Sequence, residues 1–477
     1  MARLDDCVFL EGEFVIFALR IGRSIAVGSN HSSVSRRAVL AGVTGMSLAA
    51  LADGVQSAPT EKKSFPKGFR WGVATAAHQI EGNNTNSDFW FLENIKPTQF
   101  VERSGDACDS YHRYEEDIAL LARLGFNSYR FSLEWARIEP SPGAFSVAEL
   151  DYYKRVIECC RQHRVDPAVT FVHATAPHWF AAAGGWLNPA APSLFARYCS
   201  TAARALAGEM AFAFTLNEPQ VAKTFRAIPG ADVYFKKQDE LALATHVAAA
   251  KATNSERYVT MNYPDIEGMT PQLIAGHEQG LAAIKAERGS LPVGVTLNIL
   301  DFEPSTEDSP YEEIRDRAYG QWLDVVRRTG DFTGVQIYRQ ISVAGKGKPL
   351  PPPSPMPFAK PGDAMDNLAR PEALRNAIEY VYEKTRKPIL VTENGIETEN
   401  DERRVWYINA VLDYLHETIA HGVPVLGYLH WSLLDNFEWT RGYTPKFGLV
   451  AVDRISFKRT PKPSADHLGR IARRNSL

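Results

Sequence analysis

The sequence predicts an α/β protein of the (β/α)8 barrel (TIM barrel) class, a single domain with long βα loops. Three observations predict it. From Phe65 onward, short β-branched and aromatic runs alternate with amphipathic helical runs, the pattern of parallel strands joined by crossover helices. Eight such repeats follow one another over about 400 residues, the number that closes a barrel of this kind. No glycine-rich phosphate turn follows the first apolar run, which argues against an open nucleotide-binding sheet.

The expected strands are, in order, "FRWGVATAA" (69–77), "SYRFSLEW" (128–135), "PAVTFVHA" (167–174), "AFAFTLN" (211–217), "VGVTLNI" (293–299), "FTGVQIY" (332–338), "PILVTE" (388–393) and "PVLGYLHW" (424–431). Each is a compact run rich in Val, Ile, Phe, Tyr or Thr. Helical periodicity is read over Tyr114–Leu124, Ala148–Arg164, Pro192–Ala207, Met269–Arg288, Tyr311–Thr329, Pro371–Lys384 and Asp401–His421. Two long segments start at the carboxyl ends of strands four and six, 219–268 and 339–370. Both are read as βα loops, the second containing "KPLPPPSPMPFAKPG".

A hydrophobic fraction of 45% over 477 residues is ample for a large core, and a net charge of −3 without a basic run excludes nucleic acid as an expected partner. The five cysteines, Cys7, Cys108, Cys159, Cys160 and Cys199, show no metal-type spacing and are expected as buried free thiols. No metal and no organic cofactor is called for. Residues 1–58 are read as an N-terminal extension with a twin-arginine export signal, and 59–477 as the barrel domain. Arg36-Arg37 precedes the apolar run "AVLAGVTGMSLAAL", too short to span a bilayer comfortably, with Ala52 and Ala58 as candidate cleavage positions. The apolar patch upstream suggests a true start nearer Val27 or Val34. A periplasmic or secreted location follows if the signal is used, a cytoplasmic one if it is not, with no stable membrane insertion after export. The oligomeric state is not legible.

Active sites in such barrels sit at the carboxyl ends of the strands. Here those ends carry Arg130, Glu134, His173, Asn217-Glu218, Asn298, Tyr338, Glu393 and Trp431. A plain core needs no such ring of polar and aromatic groups. Two of the ends deliver glutamates, in "TLNEP" (Thr215–Pro219) and "TENG" (Thr392–Gly395). Two carboxylates across one cleft are the minimal equipment for glycoside hydrolysis. One protonates the leaving oxygen, and the other attacks the anomeric carbon at about 5 Å separation or activates a water at roughly 6.5–9.5 Å. Proximity separates their pKa values, since ionising one discourages ionising the other.

"TLNEP" and "TENG", with "FRWGVATAAHQIEG", "DSYHRYEEDIALLARLGFNSYRFSLEWARIEP" and "HWSLLDNFEWTRGYTPKFGLVAVD", resemble the retaining β-glucosidases of glycoside hydrolase family one, over roughly Phe65 to Ile471. The resemblance implies a retaining β-glycosidase acting on non-reducing terminal sugars of small β-glycosides through a covalent glycosyl-enzyme. It implies Glu218 as acid/base and Glu393 as nucleophile, Arg130 and Tyr338 as partners of Glu393, and Asn217 as the ligand of the sugar 2-hydroxyl. Gln79, His173, Trp431, Glu438 and Trp439 resemble the set that grips the other hydroxyls, and Phe447 would line the pocket near the 6-hydroxymethyl. A transglycosylase using the same intermediate and a non-catalytic carbohydrate-binding relative are the competing readings.

The chain departs from the family pattern at Ala174, where Trp is usual, at Gln336, where Asn is usual, and at His78, where Tyr is usual and to which no role is assigned. These departures open the glycone preference to galactose, fucose, xylose or a modified sugar. Glu438, with Pro445 and Phe447 near the 6-position, favours a neutral sugar over a phosphorylated one.

Overall fold

In the computed structural model, residues 63–345 and 370–477 are described. The expected barrel is there. Its strands are β1 (Arg70–Ala74), β2 (Ser128–Ser132), β3 (Asp166–Val172), β4 (Phe212–Asn217), β5 (Val293–Asn298), β6 (Thr333–Ile337), β7 (Ile389–Asn394) and β8 (Val425–Trp431). All neighbours pair in parallel, and β1 closes the ring onto β8 through Ala74 opposite Trp431. The expected runs overshoot most strands by a few residues, because their apolar flanks continue into buried loops.

The helices cover the outside of the barrel. Several begin on the capping chemistry their sequences offer: Ser146 accepts from the Glu149 amide at the head of Val147–Gln162, Asp265 from Gly268 before Ile266–Glu287, and Asn400 from Glu402 and Arg403 before Asp401–Ala420. One expectation is corrected here. Segment 219–268 is not irregular: it holds the helices Val221–Arg226 and Ala231–Ala252. The second was missed because its alanines and leucines lie all round the axis, leaving Leu241, Leu243 and Val247 exposed instead of forming a stripe. The run Tyr311–Thr329 is helical throughout, as expected, with a wider π turn over Asp316–Gly320 joining the α-helices Tyr311–Arg315 and Gln321–Thr329. The chain ends in a further helix, Pro463–Arg474, which the sequence reading did not include. Cys108, Cys159, Cys160 and Cys199 are buried free thiols, as expected. Cys7, the export signal and the proline-rich stretch 348–362 lie outside the described residues, and among the described residues no helix is long and apolar enough to cross a membrane.

The floor of the barrel is apolar, built by Ala168, Phe212, Phe214, Phe332, Leu390 and Leu429. Gly294 makes room for it, since a Cβ there would sit 3.1 Å from the Phe332 ring. Above this layer the interior turns polar, and the change of register is what makes it so. Phe214 faces inward and Thr215 outward, onto His277 of helix Ile266–Glu287. Strict alternation would therefore turn Asn217 outward. The β4–β5 pairing shifts between Phe214 and Asn217, and Asn217 faces inward. The same happens on β7. Leu390 faces inward, so Glu393 should face out; the β6–β7 register skips Thr392, pairing Val335 with Val391 and then Gln336 with Glu393. An irregularity of this kind re-aims every later side chain.

Candidate active site

Glu393 ends up inside the barrel mouth, only 4% exposed. A carboxylate so buried needs donors, and it has three. Arg130 Nη1 donates to Oε1 at 2.5 Å, Gln336 Nε2 to the same oxygen at 2.7 Å, and Tyr338 Oη to Oε2 at 2.6 Å. Arg130 is fully buried over the Phe214 ring, and its second arm, Nη2, donates to Asn217 Oδ1 at 2.6 Å. That oxygen also accepts from Gln336 Nε2 at 2.8 Å and Thr296 Oγ1 at 2.9 Å. With three donors on Oδ1, the Asn217 amide has one orientation, and its own Nδ2 is left to face the mouth.

Glu218 follows directly. It takes a left-handed backbone, φ +47°, which lifts its side chain over the strand end; such a residue costs about 1–3 kcal/mol and persists only where the surroundings impose it. Glu218 is half-buried, and Asn298 Nδ2 donates to its Oε1 at 2.7 Å. Among the described residues no arginine bonds it in the way Arg130 bonds Glu393. Burial first, and then the charge of Glu393, push the Glu218 carboxyl up to about 8. Burial also raises Glu393, with Arg130 and Tyr338 opposing it. The two glutamates thus share one mouth in unequal electrostatic settings.

The remaining expected residues close the wall. Gln79 Nε2 donates to the Phe437 carbonyl at 2.8 Å and to Glu438 Oε2 at 3.2 Å, while its Oε1 is buried without a partner. His173 lies against both indoles, 5.8 Å from Trp431 and 5.9 Å from Trp439. Its Nδ1 is likewise buried and unpartnered, and burial and Arg130 hold the ring neutral. Trp431 packs on Ala74 and Ala76, and Tyr338, Trp439 and Phe447 pack against that group. Burial pushes Glu438 up to about 8 against the opposing charge of Arg441, which is itself clamped by both oxygens of Glu397. Glu218, Tyr338, Glu438, Trp439 and Phe447 keep partial exposure, while Arg130, Asn217, Gln79, His173, Trp431 and Glu393 are buried beneath them.

Gln336, Asn298 and Thr296 touch the two glutamates or Asn217 and were given no role from sequence. Gln336 was noted only as a departure, and Asn298 only as a polar strand end; an inward amide next to a strand-end carboxylate was the available signal. His78 is buried behind Trp439, its ring parallel to the indole at 6.0 Å and its Nε2 on Glu93 Oε1 at 2.8 Å. It supports the indole from behind. Glu134, also at a strand end, points away from the mouth: it accepts from Ala136 N and Thr175 Oγ1. Among the described residues no group of three or more His, Cys, Asp or Glu is placed to hold a metal ion.

Known proteins share this arrangement of sequence and fold. The family model for glycosyl hydrolase family 1 matches residues 61–270 and 323–477. A thermostable β-glucosidase B of Thermobispora bispora is 31% identical, over 87% of this chain and 92% of its own length, and a coniferin β-glucosidase of Pinus contorta is 30% identical, over 86% and 92%. Among solved structures, an apo β-glucosidase 1317 superposes with a TM-score of 0.79 at 43% identity, covering 85% of this chain and 98% of its own. A family 1 β-glucosidase from Thermotoga maritima superposes with a TM-score of 0.74 at 25% identity, covering 87% and 99%. The chain belongs to glycosyl hydrolase family 1.

Proposed function

We propose that the protein hydrolyses non-reducing terminal β-linked sugars from small glycosides by double displacement, with Glu218 as acid/base and Glu393 as nucleophile. The observation that carries the assignment is the inequality of the two glutamates. Glu393 is held by a guanidinium, an amide and a phenol, all donors that favour the ionised form. Glu218 has one amide donor and a carboxyl raised to about 8, so it holds a proton at neutral pH.

Chemistry follows from which oxygens are free. Glu393 Oε1 already accepts two donors, so Oε2, with Tyr338 alone, is the oxygen that forms the ester to the anomeric carbon. Glu218 Oε1 is engaged by Asn298, so its proton leaves from Oε2 to the glycosidic oxygen as the C–O bond breaks. Esterification removes the negative charge of Glu393, one of the two main causes holding Glu218 protonated. Glu218, now ionised, takes a proton from water, whose oxygen displaces Glu393 and restores both groups with retained configuration. Asn217 Nδ2, fixed by the three donors on its carbonyl, grips the 2-hydroxyl as the oxocarbenium ion develops. Gln79 Oε1 can accept from a sugar hydroxyl and the buried His173 Nδ1 can bond another, with the indoles of Trp431 and Trp439 beside them for the apolar sugar face.

A neutral sugar is favoured because the cation acting on Glu438, Arg441, is already paired with Glu397. β-Glucosides are the first substrates to test, given the names of the relatives. Export through the twin-arginine route, with residues 1–58 as the N-terminal extension and export signal and 59–477 as the catalytic domain, rests on Arg36-Arg37 and the apolar run that follows. The test is a panel of aryl β-glycosides differing only in the sugar, run beside Glu393→Gly with azide and Glu218→Ala with azide on an activated substrate. Azide should return an inverted glycosyl azide from the first variant and a retained one from the second. A wild type that cleaves no member of the panel overturns the assignment.

A further inference from the structure

Asn298 closes β5 and is 6% exposed. Its backbone carbonyl accepts from Gln220 Nε2 at 2.7 Å, which pins the main chain. Its side-chain amide has a single anchor, the 2.7 Å bond from Nδ2 to Glu218 Oε1, and its Oδ1 is buried with no partner. Nδ2 can only donate, so Oε1 of Glu218 must be an acceptor. In the acid that makes Oε1 the carbonyl oxygen and leaves the proton on Oε2. In the carboxylate the same bond becomes charge-assisted and stronger.

We propose that Asn298 is a positioning residue that serves Glu218 in both protonation states: Nδ2 donates to Oε1 of the acid, which keeps the proton on Oε2, and donates more strongly to the same oxygen of the carboxylate during deglycosylation. The inference rests on the reading of Glu218 as acid/base. The charged and titratable groups acting on Glu218 from the other elements are Glu393 on β7, Arg130 on β2 and Glu438 after β8, with Tyr338 after β6 facing the same pair. These groups act on Glu218 through charge, whereas Asn298 donates a hydrogen bond to it.

The test is the pH dependence of kcat/KM and the step that limits kcat, in Asn298→Leu and Asn298→Ser. The basic limb of kcat/KM reports the acid of the free enzyme. Losing the donor costs the ionised form of Glu218 a charge-assisted bond, so that limb should move up by roughly one to two pH units. With a dinitrophenyl glycoside, whose leaving group needs no acid, glycosylation should be unchanged. Deglycosylation, which needs the ionised form, should slow about tenfold at neutral pH, producing a pre-steady-state burst and a lowered KM. A merely structural role lowers activity without moving the limb, and that result overturns the proposal. If Asn298→Leu does not fold, the smaller Asn298→Ser gives the same readout. Glu218→Gln separates the two levels. If it keeps both its activity and its basic limb, the acid/base assignment itself falls. If it loses both while Asn298→Leu and Asn298→Ser leave the limb in place, only the role of Asn298 falls.

Discussion

Replacing Gln336 by Met keeps the length of the side chain and deletes one shared donor. In the native site Nε2 lies 2.7 Å from Glu393 Oε1 and 2.8 Å from Asn217 Oδ1. Neither acceptor is orphaned by its loss. Arg130 still donates to both, at 2.5 Å and 2.6 Å, Thr296 still reaches Asn217, and Tyr338 still holds Glu393 Oε2. The change therefore removes one bond to a charged group, on the order of 1.5–3 kcal/mol, and not the larger penalty of an unpaired buried charge. On the Glu393 side the ionised form loses support, so the acidic limb of kcat/KM moves to higher pH. Above that limb the nucleophile is no weaker, since a carboxylate with fewer donors gives up its charge more readily. On the Asn217 side the amide loses one of the three donors that orient it, and its contact with the 2-hydroxyl loosens. The plateau of kcat/KM should fall about tenfold, or ~1.4 kcal/mol, on an aryl glycoside with a 2-hydroxyl. On the matched 2-deoxy glycoside the fall should be no more than about threefold, because that contact is absent. Steady-state kinetics on the two substrates from pH 4 to pH 9 decides it. Equal losses on both, with the acidic limb unmoved, would mean that Gln336 only fills space.

Three further outcomes are expected. Tyr338→Phe removes the donor on Glu393 Oε2 and should lower kcat/KM roughly 10- to 100-fold, with the acidic limb again displaced upward; an unchanged pH profile would refute the assigned bond. A carboxyl that is raised in the folded state binds a proton that the unfolded chain has already released, so Glu218 and Glu438, each at about 8, cost stability as pH rises from 4.5 to 8. Glu218→Gln should accordingly gain on wild type over that window, by about 1–2 kcal/mol after solvent screening of a half-buried group; denaturant melts at pH 5 and pH 8 with equal differences would contradict this. At Gly395, directly after the β7 turn, a Cβ would lie 2.0 Å from the Trp431 carbonyl oxygen. Gly395→Ala must push the β7 and β8 ends apart, losing roughly 1–3 kcal/mol of stability and most of the activity, and a variant with wild-type kcat/KM would show that the glutamate tolerates that shift.

The order of strands was legible because each barrel strand is a run of branched and aromatic residues whose outer face meets helices and whose lower inner face meets other strands. "AFAFTLN" and "PILVTE" are examples, each with few places to go but a buried parallel sheet. Helix Ala231–Ala252 was illegible for the opposite reason: burial on one side only is not written into a segment whose apolar residues encircle it. At the site, the two glutamates, Arg130 and Tyr338 were legible through motifs, and their neighbours less so. Gln336 and Asn298 are ordinary amides in ordinary strand sequence, and what makes them matter is which residue of the next strand stands opposite. Asn298 pairs with Gln336, and Gln336 with Glu393, a register fixed by the closure of the barrel and not by any one segment.

The register irregularities sharpen the point. Period-two alternation, followed from Phe214 and from Leu390, turns Asn217 and Glu393 out toward the helices. Both are turned in by a shift one or two residues earlier, on β4 before Asn217 and on β7 at Thr392. A shift that moves one residue moves those after it, so the same irregularity that brings Asn217 inward sets the strand exit from which Glu218 must rise, and Glu218 completes the turn with its left-handed backbone. Strain of this kind is tolerated only where the packing on both sides is fixed. Below lies the apolar floor of Phe212, Phe214, Phe332, Leu390 and Leu429, and outside lie the helices that hold Thr215 through His277. The polar mouth is thus a consequence of the apolar floor: two strands locked in place by aromatic packing leave their last residues no freedom except the one that faces the two carboxylates toward a common space.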